Sequence, residues 1–164
     1  MTDSPQMAHG TAGVALEHDH RVIDAEFERF AAALADGQVV ADAFRGGAQG
    51  LRHHIYVEEE LHFPPLRAAG LFGPILVMLR EHGEIWDLLD VIEAQLASGV
   101  EAAQLQDATR RLMDALDQHN LKEERILYPA GDAQLPDDIA VQIRAALASG
   151  DTPPGWTCHM ATPV

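Results

Sequence analysis

The sequence predicts an all-α chain, an up-down-up-down four-helix bundle followed by a short fifth helix and a tail. Three observations carry this. Ala and Leu dominate an apolar fraction of 47% while aromatic residues are only 5%, a balance that favours helix over sheet. Apolar residues recur at spacings of three and four through four long segments, the period of one helix face. Gly and Pro punctuate the segments, and the short connections make successive helices antiparallel neighbours.

The elements follow in order. Residues 1–11 read as a flexible leader, and the first helix spans roughly 12–36, ended by Asp36-Gly37. The second covers roughly 39–62 and is expected to stop before Phe63-Pro64-Pro65. The third runs roughly 73–97 to Ser98-Gly99, and the fourth roughly 100–127, stopping at Tyr128-Pro129. A fifth, at about 136–149, opens on Pro136-Asp137-Asp138 and closes at Gly150. Residues 12–130 are thus the expected bundle, and 131–164 the short helix and tail.

Charge narrows the function classes. With 26 acidic against 11 basic residues the net charge is -15. Such a surface repels nucleic-acid backbones and anionic membranes, and its ordinary role is solubility. The lone Cys158 offers neither a disulfide framework nor a zinc-thiolate cluster. The polar N-terminus shows no secretory signal, no apolar stretch is long enough to span a bilayer, and a cytoplasmic setting is expected.

Nine histidines are the unusual feature, because histidine is the commonest protein metal ligand. On the first helix His20 lies in the stripe of Leu16, Ile23, Phe27, Phe30 and Leu34. His54 and Glu58 share a face with Leu51 and Leu61, and His82 lies with Ile75, Leu79, Trp86, Leu89 and Leu96. His119 and Glu123 continue the stripe of Leu105, Ala108, Leu112, Leu116 and Ile126. A lone inward histidine is ordinarily a hydrogen-bonded core residue. Here two inward carboxylates, each one turn after a histidine, require a positive charge at the centre. In antiparallel helices all six side chains reach one level. His20 to His82 spans 62 residues, while His54 to His119 and Glu58 to Glu123 each span 65. Two related helical hairpins could therefore each serve one of two metals, with the glutamates as bridges.

These residues resemble the hemerythrin-like, or HHE cation-binding, family. The matching motifs are Asp19-His20-Arg21-Val22-Ile23-Asp24, His54-x-x-x-Glu58-Glu59-x-x-x-Phe63-Pro64, Arg80-Glu81-His82-Gly83-Glu84-Ile85 and His119-x-x-x-Glu123-Glu124-x-x-x-Tyr128-Pro129, in the family's order. The resemblance implies a non-haem di-iron centre. His20, His54, His82 and His119 would be terminal ligands, and Glu58 and Glu123 would bridge, with a further oxo or hydroxo bridge. Oxygen carriers of this family have another histidine one turn after the third-helix histidine. Trp86 stands there, which favours activation of peroxide, oxygen or nitric oxide over oxygen carriage.

Other assignments compete. Imidazole and carboxylate also suit manganese or zinc. A ferritin-type site would use Glu17-x-x-His20 and Glu59-x-x-His62, but the third and fourth helices lack its remaining ligands. His62, Tyr56 and Tyr128 are candidate extra ligands, each with a plainer reading: exposure for His62, another face for Tyr56, and helix-end packing for Tyr128. His18 and His53 point off the stripe. Glu59, Glu60 and Glu124 read as a solvated rim, Glu81 and Glu84 as exposed charge or, less plainly, as groups orienting His82, and Trp86 as core or as a wall shielding the metals. Cys158 and His159 read as part of an ordinary disordered terminus. Three functional classes follow: a di-iron enzyme consuming peroxide or oxygen, a module that binds, senses or stores oxygen, nitric oxide or iron without turnover, and a bundle whose metal only holds the fold. Turnover separates the first from the second, and unfolding on metal removal marks the third.

Overall fold

The computed structural model describes residues 10–163, so most of the expected leader lies outside the described residues. Four long helices dominate: α1 (Ala12–Ala35), α2 (Ala41–Val57), α4 (Phe72–Ala97) and α5 (Ala102–Lys122). The short α3 (Phe63–Ala68) and α6 (Tyr128–Gln134) continue α2 and α5, and α7 (Asp137–Ser149) follows. No strand occurs among the described residues.

The helix ends have local causes. The Thr11 hydroxyl accepts the Val14 N–H at 3.2 Å and caps α1. Glu101 and Gln104 form a reciprocal capping box at the start of α5. Gly150 closes α7 at a φ of 68°, a left-handed position that glycine reaches without a Cβ penalty.

The expected stops at Pro64 and Pro129 do not occur. A π-helical turn, Glu58–His62, joins α2 to α3, and a second, Glu123–Leu127, joins α5 to α6. In each the closing bond reaches five residues back, from Phe63 N–H to the Glu58 carbonyl and from Tyr128 N–H to the Glu123 carbonyl. A proline inside an α-helix lacks a donor and clashes with the carbonyl four residues earlier. The wider turn displaces the bond ladder just before each proline, so the chain continues as helix.

Two apolar regions make the core. One holds Phe27, Phe30, Phe44, Leu89, Leu105 and Leu112; the other holds Leu16, Phe63, Leu66, Ile75, Leu127 and Tyr128. Phe44, near the start of α2, meets Phe27 and Phe30 at ring separations of 5.9 and 5.4 Å. His54, near the end of α2, meets His20, near the start of α1, at 4.5 Å. A buried polar layer thus lies between the two apolar regions.

The C-terminal residues are ordered against the helices rather than loose. Thr162 donates from both its backbone N–H and its hydroxyl to Asp87, at 3.0 and 2.6 Å. Trp156 donates to Glu60 at 3.1 Å, and Cys158 is buried in the core. Gly83 permits this approach, because a Cβ there would strike the Met160 carbonyl.

A similar close approach tests the main core. A Cβ on Gly47 would lie 2.8 Å from the Phe27 ring. Gly47→Ala gains about 1 kcal/mol in helix propensity against an overpacking cost of about 1–3 kcal/mol. A lower urea midpoint is therefore expected, whereas Gly73→Ala, which meets open space, should show no loss.

Candidate metal centre

The structure brings His20, His54, Glu58, His82, His119 and Glu123 together, all buried. One ligand atom from each of Glu58, His82, His119 and Glu123 lies within 4.8 Å of the others, and His20, His54 and Glu123 form a second such group. Leu51, Ile55 and Ile85 line the apolar side of the small space between these histidines and glutamates.

Each histidine is held from behind by a carboxylate on a neighbouring element. His54 Nδ1 lies 2.7 Å from Asp19 and His82 Nδ1 2.6 Å from Glu59. His119 Nδ1 lies 3.0 Å from Glu81, and His20 Nδ1 3.4 Å from Glu124. A donor Nδ1–H on this outer side leaves an Nε2 lone pair facing inward, the arrangement that orients metal-binding imidazoles. Sequence reasoning treated Glu59, Glu81 and Glu124 as solvated charge. Instead Glu59 is 2% exposed, and its other oxygen accepts the His159 backbone N–H at 2.8 Å. Glu81 also pairs with Lys122.

Tyr128 is the largest correction. Its hydroxyl does not sit at a helix end but projects into the centre, 3.0 Å from His20 Nε2, 3.1 Å from His54 Nε2 and 3.0 Å from Glu58 Oε2. His62 is 1% exposed rather than solvated; it packs edge-on to Tyr128 and against Gly131, with neither ring nitrogen hydrogen-bonded among the described residues. Tyr56 packs on Trp156 and His53. His53 is itself bonded to Thr152 and the Ala146 carbonyl, and His18 is exposed. Trp86 does not line the site. Its ring lies under the Arg52 guanidinium at 5.1 Å and beside Trp156.

The donor set fits a cation. Glu58 Oε1, Glu123 Oε2 and His82 Nε2 are buried without a hydrogen-bond partner among the described residues. Two fully buried carboxylates so placed are very costly unless compensated. In a metal-free chain protons take the cation's role. Burial would push the His119 imidazole down, but Glu123 and Glu81 prevail and raise it to about 10. His54 and His82 also rise, as Glu58 and their outer carboxylates outweigh burial. The hydrogen bond to His119, with Lys122 beside it, lowers Glu81 to about 2.

These shifts give a pH dependence. A raised His119 stabilises the fold fully below its ordinary 6.5 and loses that contribution as pH rises through about 10. A depressed Glu81 contributes above its ordinary 4.5 and loses it as pH falls through about 2. Chelator-stripped protein should therefore be most heat-stable between these two ordinary values, with Tm falling on the alkaline side in a thermal scan.

Residues 12–130 match the family model of the hemerythrin HHE cation binding domain. No curated protein and no solved structure matches the chain.

Proposed function

The chain belongs to the hemerythrin HHE cation-binding domain family, and on that premise we propose that it is a di-iron protein that binds and activates peroxide, oxygen or nitric oxide in the cytoplasm, protecting against oxidative or nitrosative stress. The proposal takes residues 12–130 as an up-down-up-down metal-binding bundle and 131–164 as its helical and C-terminal cover. The observation that carries it is the pair of buried glutamates, each with an oxygen that accepts no hydrogen bond among the described residues, set among four inward-facing imidazoles.

In this reading His20, His54, His82 and His119, through Nε2, and Glu58 and Glu123, through their carboxylates, would hold the two irons. Two bridged redox-active ions would supply the electrons that a small oxidant needs. The chain's own residues do the rest. Asp19, Glu59, Glu81 and Glu124 fix the imidazole orientations. Leu51, Ile55 and Ile85 exclude water from the centre. The place of a further imidazole one turn after His82 is taken by Trp86, which is turned toward Arg52 and Trp156. That leaves the side of His82 and His119 without the imidazole a carrier has there, which favours reaction over storage. No helix among the described residues is long and apolar enough to cross a membrane.

Elemental analysis should find about two irons per chain, lost in the His54→Ala/Glu58→Ala double variant, and the loaded protein should consume peroxide or nitric oxide catalytically. Iron retained in the variant would refute the ligand set, and loaded protein without turnover would refute the activity. Glu59→Gln should weaken iron binding about 10–100-fold in chelator competition, because His82 loses its charged partner.

A further inference from the structure

The two halves of the site differ at the residue five after each glutamate. A π turn places the residue five after each glutamate over that glutamate. After Glu58 this residue is Phe63, whose ring lies flat on His82 at 5.5 Å and 13°. After Glu123 it is Tyr128, whose hydroxyl enters the centre 3.5 Å from Glu123 Oε1.

Tyr128 Oη stands among the inward atoms of that half of the site, 3.0–3.1 Å from His20 Nε2, His54 Nε2 and Glu58 Oε2. With Asp19 and Glu124 on the Nδ1 side of His54 and His20, the same two Nε2 atoms and this oxygen converge on one point, as donors around a single cation do. The spacing suits it, since neighbouring donors around a six-coordinate ion with bonds of about 2.1 Å stand about 3.0 Å apart. The group of His20, His54 and Glu123 is also one residue smaller than that of Glu58, His82, His119 and Glu123.

We propose that Tyr128 supplies its phenol oxygen as a ligand to the ion held by His20 and His54, which makes the two metal positions chemically unequal. This rests on the metal-centre reading above. The Oη–metal bond forms as the O–H bond breaks, the proton is released to solvent as with other protonated ligands, and no electron moves. The ion held by His82 and His119, which has no such phenol beside it, would then be the one that takes a small molecule.

The test is visible absorption and resonance Raman of full-length protein loaded with ferric iron. A phenolate-to-iron charge-transfer band with enhanced tyrosine ring modes is expected, and ring-deuterated tyrosine should shift those modes in the unaltered chain. The chain has two tyrosines, so Tyr128→Phe should abolish the band while Tyr56→Phe keeps it. Tyr128→Phe should also weaken one of the two irons about 10–100-fold. Two bound irons with no such band, or a band that survives Tyr128→Phe, would overturn the assignment and leave the metal centre standing. No iron in the unaltered chain would overturn both.

Discussion

Everything at the centre depends on four carboxylate–imidazole pairs that run from element to element in a closed ring. Asp19 on α1 holds His54 on α2, and Glu59 after α2 holds His82 on α4. Glu81 on α4 holds His119 on α5, and Glu124 after α5 lies against His20 on α1. Each acid is the sequence neighbour of an inward residue: Asp19 of His20, Glu81 of His82, Glu59 of Glu58 and Glu124 of Glu123. Adjacent helical residues point about 100° apart. One residue therefore faces the centre while the next faces the adjoining helix. The ring makes each imidazole's position a property of two helices at once, so helix packing and site geometry are set by the same bonds.

The two π turns are the second constraint. They let the helices pass through Pro64 and Pro129, and they change which residues face inward. Under an α-helical period the residue four after a glutamate stands over it; under the π turn the fifth does. Phe63 and Tyr128 gain the inward places, while His62 is turned against Tyr128 and into space left by the missing side chain of Gly131. Both turns follow His-x-x-x-Glu and precede an aromatic residue and proline, so the internal repeat extends from residue types to backbone geometry.

This accounts for what was legible beforehand. The four long helices and the convergence of His20, His54, Glu58, His82, His119 and Glu123 could be read because they obey one period and carry residues too costly to bury singly. Tyr128, a candidate ligand by residue type, reads more plainly as helix-end packing because the period changes directly after Lys122. The paired aromatic-proline steps were its only signal. Glu59, Glu81 and Glu124 read as surface charge because acids beside a helix stripe usually are, and only the facing imidazole shows otherwise. The docked C-terminus was illegible because its contacts, through Trp156, Thr162, backbone N–H groups and the room at Gly83, leave no periodic pattern.

The four pairs are not equivalent, and the difference follows solvent. Glu59 is buried, bonded to His82 at 2.6 Å, and further fixed by the His159 N–H of the C-terminal segment. Low dielectric strengthens such a bond. Its counterpart in the repeat, Glu124, is 29% exposed, stands 3.4 Å from His20, and has Arg21 at 4.0 Å as a competing partner. The imidazole with the weakest outer support is thus His20, and it is one of the two that Tyr128 contacts from within. The C-terminal segment reinforces one half of the repeat from outside, and the phenol reinforces the other from inside. A site built from two similar hairpins is held together by two different additions, and its asymmetry lies in the groups that surround the metal positions as much as in the positions themselves.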